Sequence, residues 1–144
     1  MKTKNNKRAI KFRAWEIDTK KMIEWDKLWY LLAVLPKGAY KDQDEEATIP
    51  FFVMAANSSK YVVEQYIGLD DINGNEIYEG DIVSFQQKEG EKSAEIKFDD
   101  AGYILYSPIR TALPKLSAPQ ITRLKLKVIG NVYQNPELAL TLGL

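Results

Sequence analysis

One stretch limits what this chain can become: Gln65 to Phe85, which sets two turn signals among apolar runs. Asn73-Gly74 suits a two-residue hairpin turn, because both central positions of such a turn need φ > 0 and these residues reach it at low cost. Glu79-Gly80-Asp81 makes a second turn that opens directly into Ile82-Val83-Ser84-Phe85, a run with strand character. Two reversals this close predict a β-meander seed, with consecutive strands side by side.

The rest of the chain agrees with a mainly β fold. Ala9 to Trp15 alternates, with Ile10, Phe12 and Ala14 on one face and Lys11, Arg13 and Trp15 on the other. Asp18 to Lys21 is a polar turn, and Met22-Ile23 starts a returning strand. Asp26 suits the cap of a helix over 27–35 that stops at Pro36; a strand fits the same apolar run. Residues 51–56 and 61–66 read as strands, the second rich in β-formers. Ala94 to Phe98 alternates, Asp99 to Gly102 turns, and Tyr103 to Tyr106 returns. Residues 107–120, with three prolines, read as an irregular connection. In 123–128, Leu124, Leu126 and Val128 oppose Arg123, Lys125 and Lys127, the cleanest strand alternation in the chain. Asn135 and Pro136 then suit the start of a helix over 136–142, with Gly143 as its stop. The expected architecture is a small SH3-like or curled β-barrel built on 61–133, with an added N-terminal strand and short peripheral helices. Residues 1–8 read as a disordered basic tail, and 9–144 as one domain.

Composition narrows the chemistry. The 144 residues include no cysteine and no histidine, so thiolate chemistry, imidazole general bases and the commonest metal ligands are absent. Catalysis would rest on carboxylates, Lys, Tyr or Ser. The longest apolar runs fall well short of the roughly 20 residues a membrane helix needs, so no membrane partner is expected. The net charge is zero but uneven: residues 1–13 carry six basic residues and no acid, 101–144 carry a net +4, and 14–100 a net −10. If the ends met, they would form a basic face.

Four constellations invite a chemical reading. Asp71, Asn73 and Asn75 imitate the start of a calcium loop, but Glu76 stands where the loop needs Gly and Ile82 where it needs Glu, so the hairpin is retained. The acids at 42, 44, 45 and 46 could hold a hard cation, but carboxylates bunched in a loop read first as solvated. Asp81, followed by Glu95 and Lys97 on a neighbouring strand, has the acid, acid-x-Lys order of a Mg²⁺-dependent nuclease; an exposed strand face has the same pattern. Trp15, Tyr66, Tyr78, Tyr103 and Tyr133 could stack single-stranded bases, with Arg13 and Lys125 on the backbone; the alternative is core and cross-strand pairing. The binding candidates are Arg13, Trp15, Tyr66, Tyr78, Lys125 and Lys127. No catalytic residue, metal or cofactor is assigned.

Three motifs carry a resemblance. Lys11-Phe12-Arg13-Ala14-Trp15 with Asp18 and Lys20-Lys21-Met22 resembles the opening motif of the YopX family of phage and prophage proteins. Gln65-Tyr66, Gly68-Leu69, Asp71, Asn73-Gly74 and Glu76 to Val83 are similar to its long shared motif, with Ile67 in place of the usual Thr and Ile72 where Lys is common. Val128 to Leu138 resembles its closing motif. Together they cover roughly a third of the chain, in order. The resemblance implies a phage- or prophage-encoded cytoplasmic protein and assigns no biochemical activity. The leading expectation is a non-enzymatic interaction module with a protein partner, able to self-associate. The alternatives are a nucleic-acid-binding barrel and, last, the carboxylate nuclease.

Overall fold

The computed structural model describes residues 9–32, 59–100, 102–108 and 115–144, the side chains of 29–32 aside. The expected basic tail, the strand over 51–56, the acidic loop and Trp29's side chain lie outside these residues. The fold is mainly β: two antiparallel sheets, one a curled half-barrel, with short helices. The backbone divides into two compact units. One is drawn from Met1–Lys11 and Gln65–Leu144, the other from Phe12–Glu64.

In the smaller unit β1 (Phe12–Glu16) and β2 (Lys21–Ile23) form an antiparallel hairpin, with Trp15 opposite Met22. β1 starts later than the alternation suggests, and Ile10 is exposed. The run after β2 resolves as helix α1 (Trp25–Leu32), not a strand, and Asp26 lies inside its first turn rather than at its cap. Ala14 and Leu28 are buried, with Phe12, Ile23 and Trp25 packed around them.

Strand β3 (Tyr61–Asp70) leads into the larger unit, where Tyr66 pairs with Tyr78 of β4 (Glu76–Tyr78). The turn between them differs from expectation. Gly74 takes φ +82°, but Asn73 does not join it in the positive region, and the strands end at Asp70 and Glu76. The intervening residues are held by Asp71. Its Oδ1 accepts the N–H of Asn73 (2.8 Å) and Asn75 (3.0 Å). Its Oδ2 accepts the N–H of Val128 at 2.9 Å. The D-x-N-x-N spacing thus serves a side-chain-stabilised turn.

Gly80 (φ +78°) also reverses the chain, yet it does not fold one strand onto the next. β4 pairs with β3, whereas β5 (Asp81–Gln87) pairs with β6 (Gly90–Asp99) and with β8 (Lys127–Asn131). The turn moves the chain from one sheet to the other. Its backbone groups find partners elsewhere: the Gly80 N–H donates to the Ile96 carbonyl, and the Gly80 carbonyl accepts from Val132, both at 2.9 Å. The Asp81 carboxylate takes the Tyr78 N–H at 2.8 Å.

The second sheet has the order β7-β6-β5-β8, with β7 spanning Gly102–Tyr106. β6 begins at Gly90, earlier than its alternating segment implied. The predicted strand over 123–128 is not one. Arg123 ends a helix, α2 (Ala118–Arg123), Leu124 is its C-cap, Lys125 turns with φ +49°, and β8 starts only at Lys127. Leu126 is fully buried, but a helix end and one left-handed residue deliver it there, not a strand period. A last helix, α3 (Pro136–Thr141), ends at Leu142 with Gly143 at φ +77°, as the sequence suggested. Asn135 makes no side-chain cap bond; its Oδ1 instead accepts the Asn131 N–H at 3.1 Å.

The two faces of the second sheet are packed differently. Val83, Phe85, Ala94, Ile96 and Leu105 pack with Ile67, Ile77, Ile121 and Leu126 in the main core. On the other face, residues Gly130, Ile82, Glu95 and Tyr106 are paired across four strands and form one row. Ile82 packs there against Ala139 and Leu142. Gly130 makes room for this: a Cβ at that position would lie 2.7 Å from Asn135 Oδ1 and 2.8 Å from Leu138 Cδ1.

Candidate functional site

The sequence candidates fall into separate settings. In the smaller unit Arg13 and Trp15 are both buried, and Arg13 Nε donates to Glu64 Oε2 at 2.7 Å. In the larger unit Tyr66 and Tyr78 meet as a cross-strand pair, with ring centroids 5.6 Å apart at 48°. Tyr66 donates its hydroxyl to Asp70 (2.7 Å) and Tyr78 to Glu76 (2.8 Å). Lys11 stands over the Tyr66 ring at 5.5 Å and pairs with Glu76. Burial, and then the bond to Asp70, push the Tyr66 phenol up to about 12, so it stays protonated.

Aromatic faces closed in this way offer no stacking surface for bases. Of the five aromatics considered, Tyr133 is exposed, and Tyr103 stands edge-on to the exposed Phe98 at 5.2 Å. Lys125 and Lys127 are both exposed on either side of buried Leu126.

The acid, acid-x-Lys set is also divided. Asp81 is buried in its turn, where one oxygen accepts from Tyr78 and the other faces Asn131 Nδ2 at 3.5 Å. Glu95 and Lys97 lie on the opposite side of that commitment, on the sheet face beside α3. They line an open cleft of about 600 Å³, together with Tyr106, Val132, Ala139 and Leu140. This volume lies within the range of ligand sites.

The cleft has two kinds of surface. Its floor is polar. Glu95 is 9% exposed, and Lys97 Nζ lies 3.4 Å from its Oε2 and 3.9 Å from the centre of the Tyr106 ring. Burial raises the Glu95 carboxyl, and the Lys97 ammonium only partly offsets this. Its wall is apolar and comes from the segment after β8. Leu140 is 74% exposed there. The sequence reading named the floor residues for another chemistry and missed the wall. A signal existed: leucines at 138, 140 and 142 in so short a helix cannot all face one sheet, since successive residues turn by about 100°.

Among the described residues no helix is long and apolar enough to cross a membrane. A family model described as YopX protein matches residues 11–139. Among solved structures, the crystal structure of protein EF1440 from Enterococcus faecalis is similar, with a TM-score of 0.53 and 23% identity. The likeness spans 92% of this chain and 99% of that one and shows the fold alone. No curated protein sequence matches the chain.

Proposed function

The chain belongs to the YopX family, and from that premise we propose that it is a non-enzymatic interaction module, encoded by a phage or prophage and working in the bacterial cytoplasm. The observation that supports this reading is the cleft beside α3. It joins an exposed apolar wall to a floor whose charged side chains among the described residues, Glu95 and Lys97, already face one another. Such a surface suits recognition. The one further acid of the nuclease pattern, Asp81, is engaged in its turn.

A photo-reactive benzoylphenylalanine placed at Leu140 tests the reading in cells. Irradiation is expected to give a discrete protein adduct from position 140 and none from the same residue placed at Lys88, on the β5–β6 turn. Equal labelling from both positions, or from neither, overturns it.

The exposure of Lys125 and Lys127 favours a second reading, nucleic-acid binding at that turn. It expects salt-dependent oligonucleotide binding that weakens when both lysines become Ala. Absence of binding at low salt removes it.

A further inference from the structure

The floor of the cleft is asymmetric. Glu95 is nine-tenths buried, and among the described residues Lys97 is its one polar partner, reaching a single carboxylate oxygen at 3.4 Å. No hydrogen bond from a described residue meets the other oxygen. A buried acceptor without a donor is costly. Lys97 is asymmetric in the opposite sense. Its ammonium has three donors, one directed to Glu95, while the Tyr106 ring lies against the same group at 3.9 Å. The side chain is 42% exposed, so donor capacity remains toward the cleft. An acceptor in need of a donor thus stands two residues along β6 from a donor in need of an acceptor. Residues two apart on a strand share a face.

From this we infer that the cleft binds a short apolar segment of a partner polypeptide, with the backbone of one extended residue on the floor: that residue's N–H donates to Glu95 and its own carbonyl, on the same side of an extended chain, accepts from Lys97. The inference rests on the interaction-module reading above and specifies its ligand. Three observations select a peptide backbone. The floor's formal charge is balanced, so a neutral group that both donates and accepts complements it without a new ion. The wall beside it, at Val132, Ala139 and Leu140, is apolar and suits an aliphatic side chain next to that backbone. The cleft is open rather than enclosed, so a continuing chain can enter and leave. A nucleotide fits less well, because among the described lining residues Lys97 is the one side-chain cation and it already faces a carboxylate.

The test uses the full chain labelled with ¹⁵N and titrated with acetyl-Leu-Leu-amide. The amide N–H signals of Glu95, Lys97, Ala139 and Leu140 are expected to shift and saturate at millimolar concentration. The matching ester, with oxygen in place of the central N–H, is expected to bind about three- to tenfold more weakly, the worth of one hydrogen bond. Leu140→Glu, an exposed substitution that leaves the fold intact, is expected to abolish the shifts. Equal affinity of amide and ester overturns the inference, because the wall alone would then account for binding. So does the absence of shifts with the peptide, or shifts with uridine monophosphate in its place. The two readings fail separately. An adduct from position 140 without peptide binding sinks the amide and spares the module; peptide binding without an adduct does the reverse.

Discussion

Two regions of the larger unit bury a carboxylate, and they treat it oppositely. In the turn after β3, Asp71 is surrounded by donors: backbone N–H groups of Asn73, Asn75 and Val128, and the Asn75 amide at 3.2 Å. In the cleft beside α3, Glu95 has one ammonium. The effect on acidity follows. Burial pushes Asp71 upward, but its hydrogen bonds to Val128, Asn75 and Asn73 together outweigh this and hold it below the usual aspartate range. Burial pushes Glu95 upward and Lys97 does not cancel it. A saturated buried acid holds the architecture together. An unsaturated one costs stability and leaves a group open to a ligand.

A buried acid of the smaller unit, Glu64, gives the sharpest test of the saturated case. Arg13→Met takes from Glu64 the guanidinium nitrogen held at 2.7 Å and leaves a charge in a nearly closed site. The expected loss is about 3–5 kcal/mol in denaturant unfolding. A loss below about 1 kcal/mol would mean that saturation is not what stabilises these acids.

Asp71→Ala should cost less, about 2–4 kcal/mol, because three backbone donors lose their acceptor but no charge is stranded. The native contribution is also pH-dependent. A carboxyl held low in the folded state stabilises fully above the ordinary aspartate range, and that contribution fades as pH falls through the lowered folded value. The gap between wild type and variant should therefore narrow on acidification; a gap independent of pH breaks the comparison.

The smallest effect has the opposite sign. Glu95→Gln is expected to raise stability at pH 7, by up to about 1 kcal/mol. A carboxyl held high in the folded state is favourable only while protonated, so this gain should shrink as pH falls through the raised folded value and be gone below the ordinary glutamate range. Destabilisation by this substitution at pH 7 would place Glu95 with Asp71 and remove the contrast.

Local backbone chemistry was legible in the sequence, and its long-range use was not. Gly74, Gly80 and Gly143 do adopt positive φ, as their turn contexts required. Which strand lies next to Gly80 depended on Ile96 and Val132, far away in the chain. The 123–128 segment shows a different failure. Its alternating leucines mimic a strand, while Ser117 and Gln120 form a capping box that marks the helix before it. The box was readable, and the stronger period concealed it. The aromatics were visible as candidates, but the sequence does not reveal that Tyr66 and Tyr78 pack against each other as a tilted pair. Glu95 and Lys97 were picked as part of an acid, acid-x-Lys pattern, with an ordinary strand face as the alternative; they do share a strand face, while Asp81 is held in its turn.

The bond from Val128 to Asp71 has a consequence in time. The two residues are 57 positions apart, and β8 is the last strand made. A ribosome that has released only the first hundred residues has delivered the whole turn without the amide that completes it. That turn therefore locks late, and whatever keeps β8 from arriving also leaves the middle of the protein unfinished.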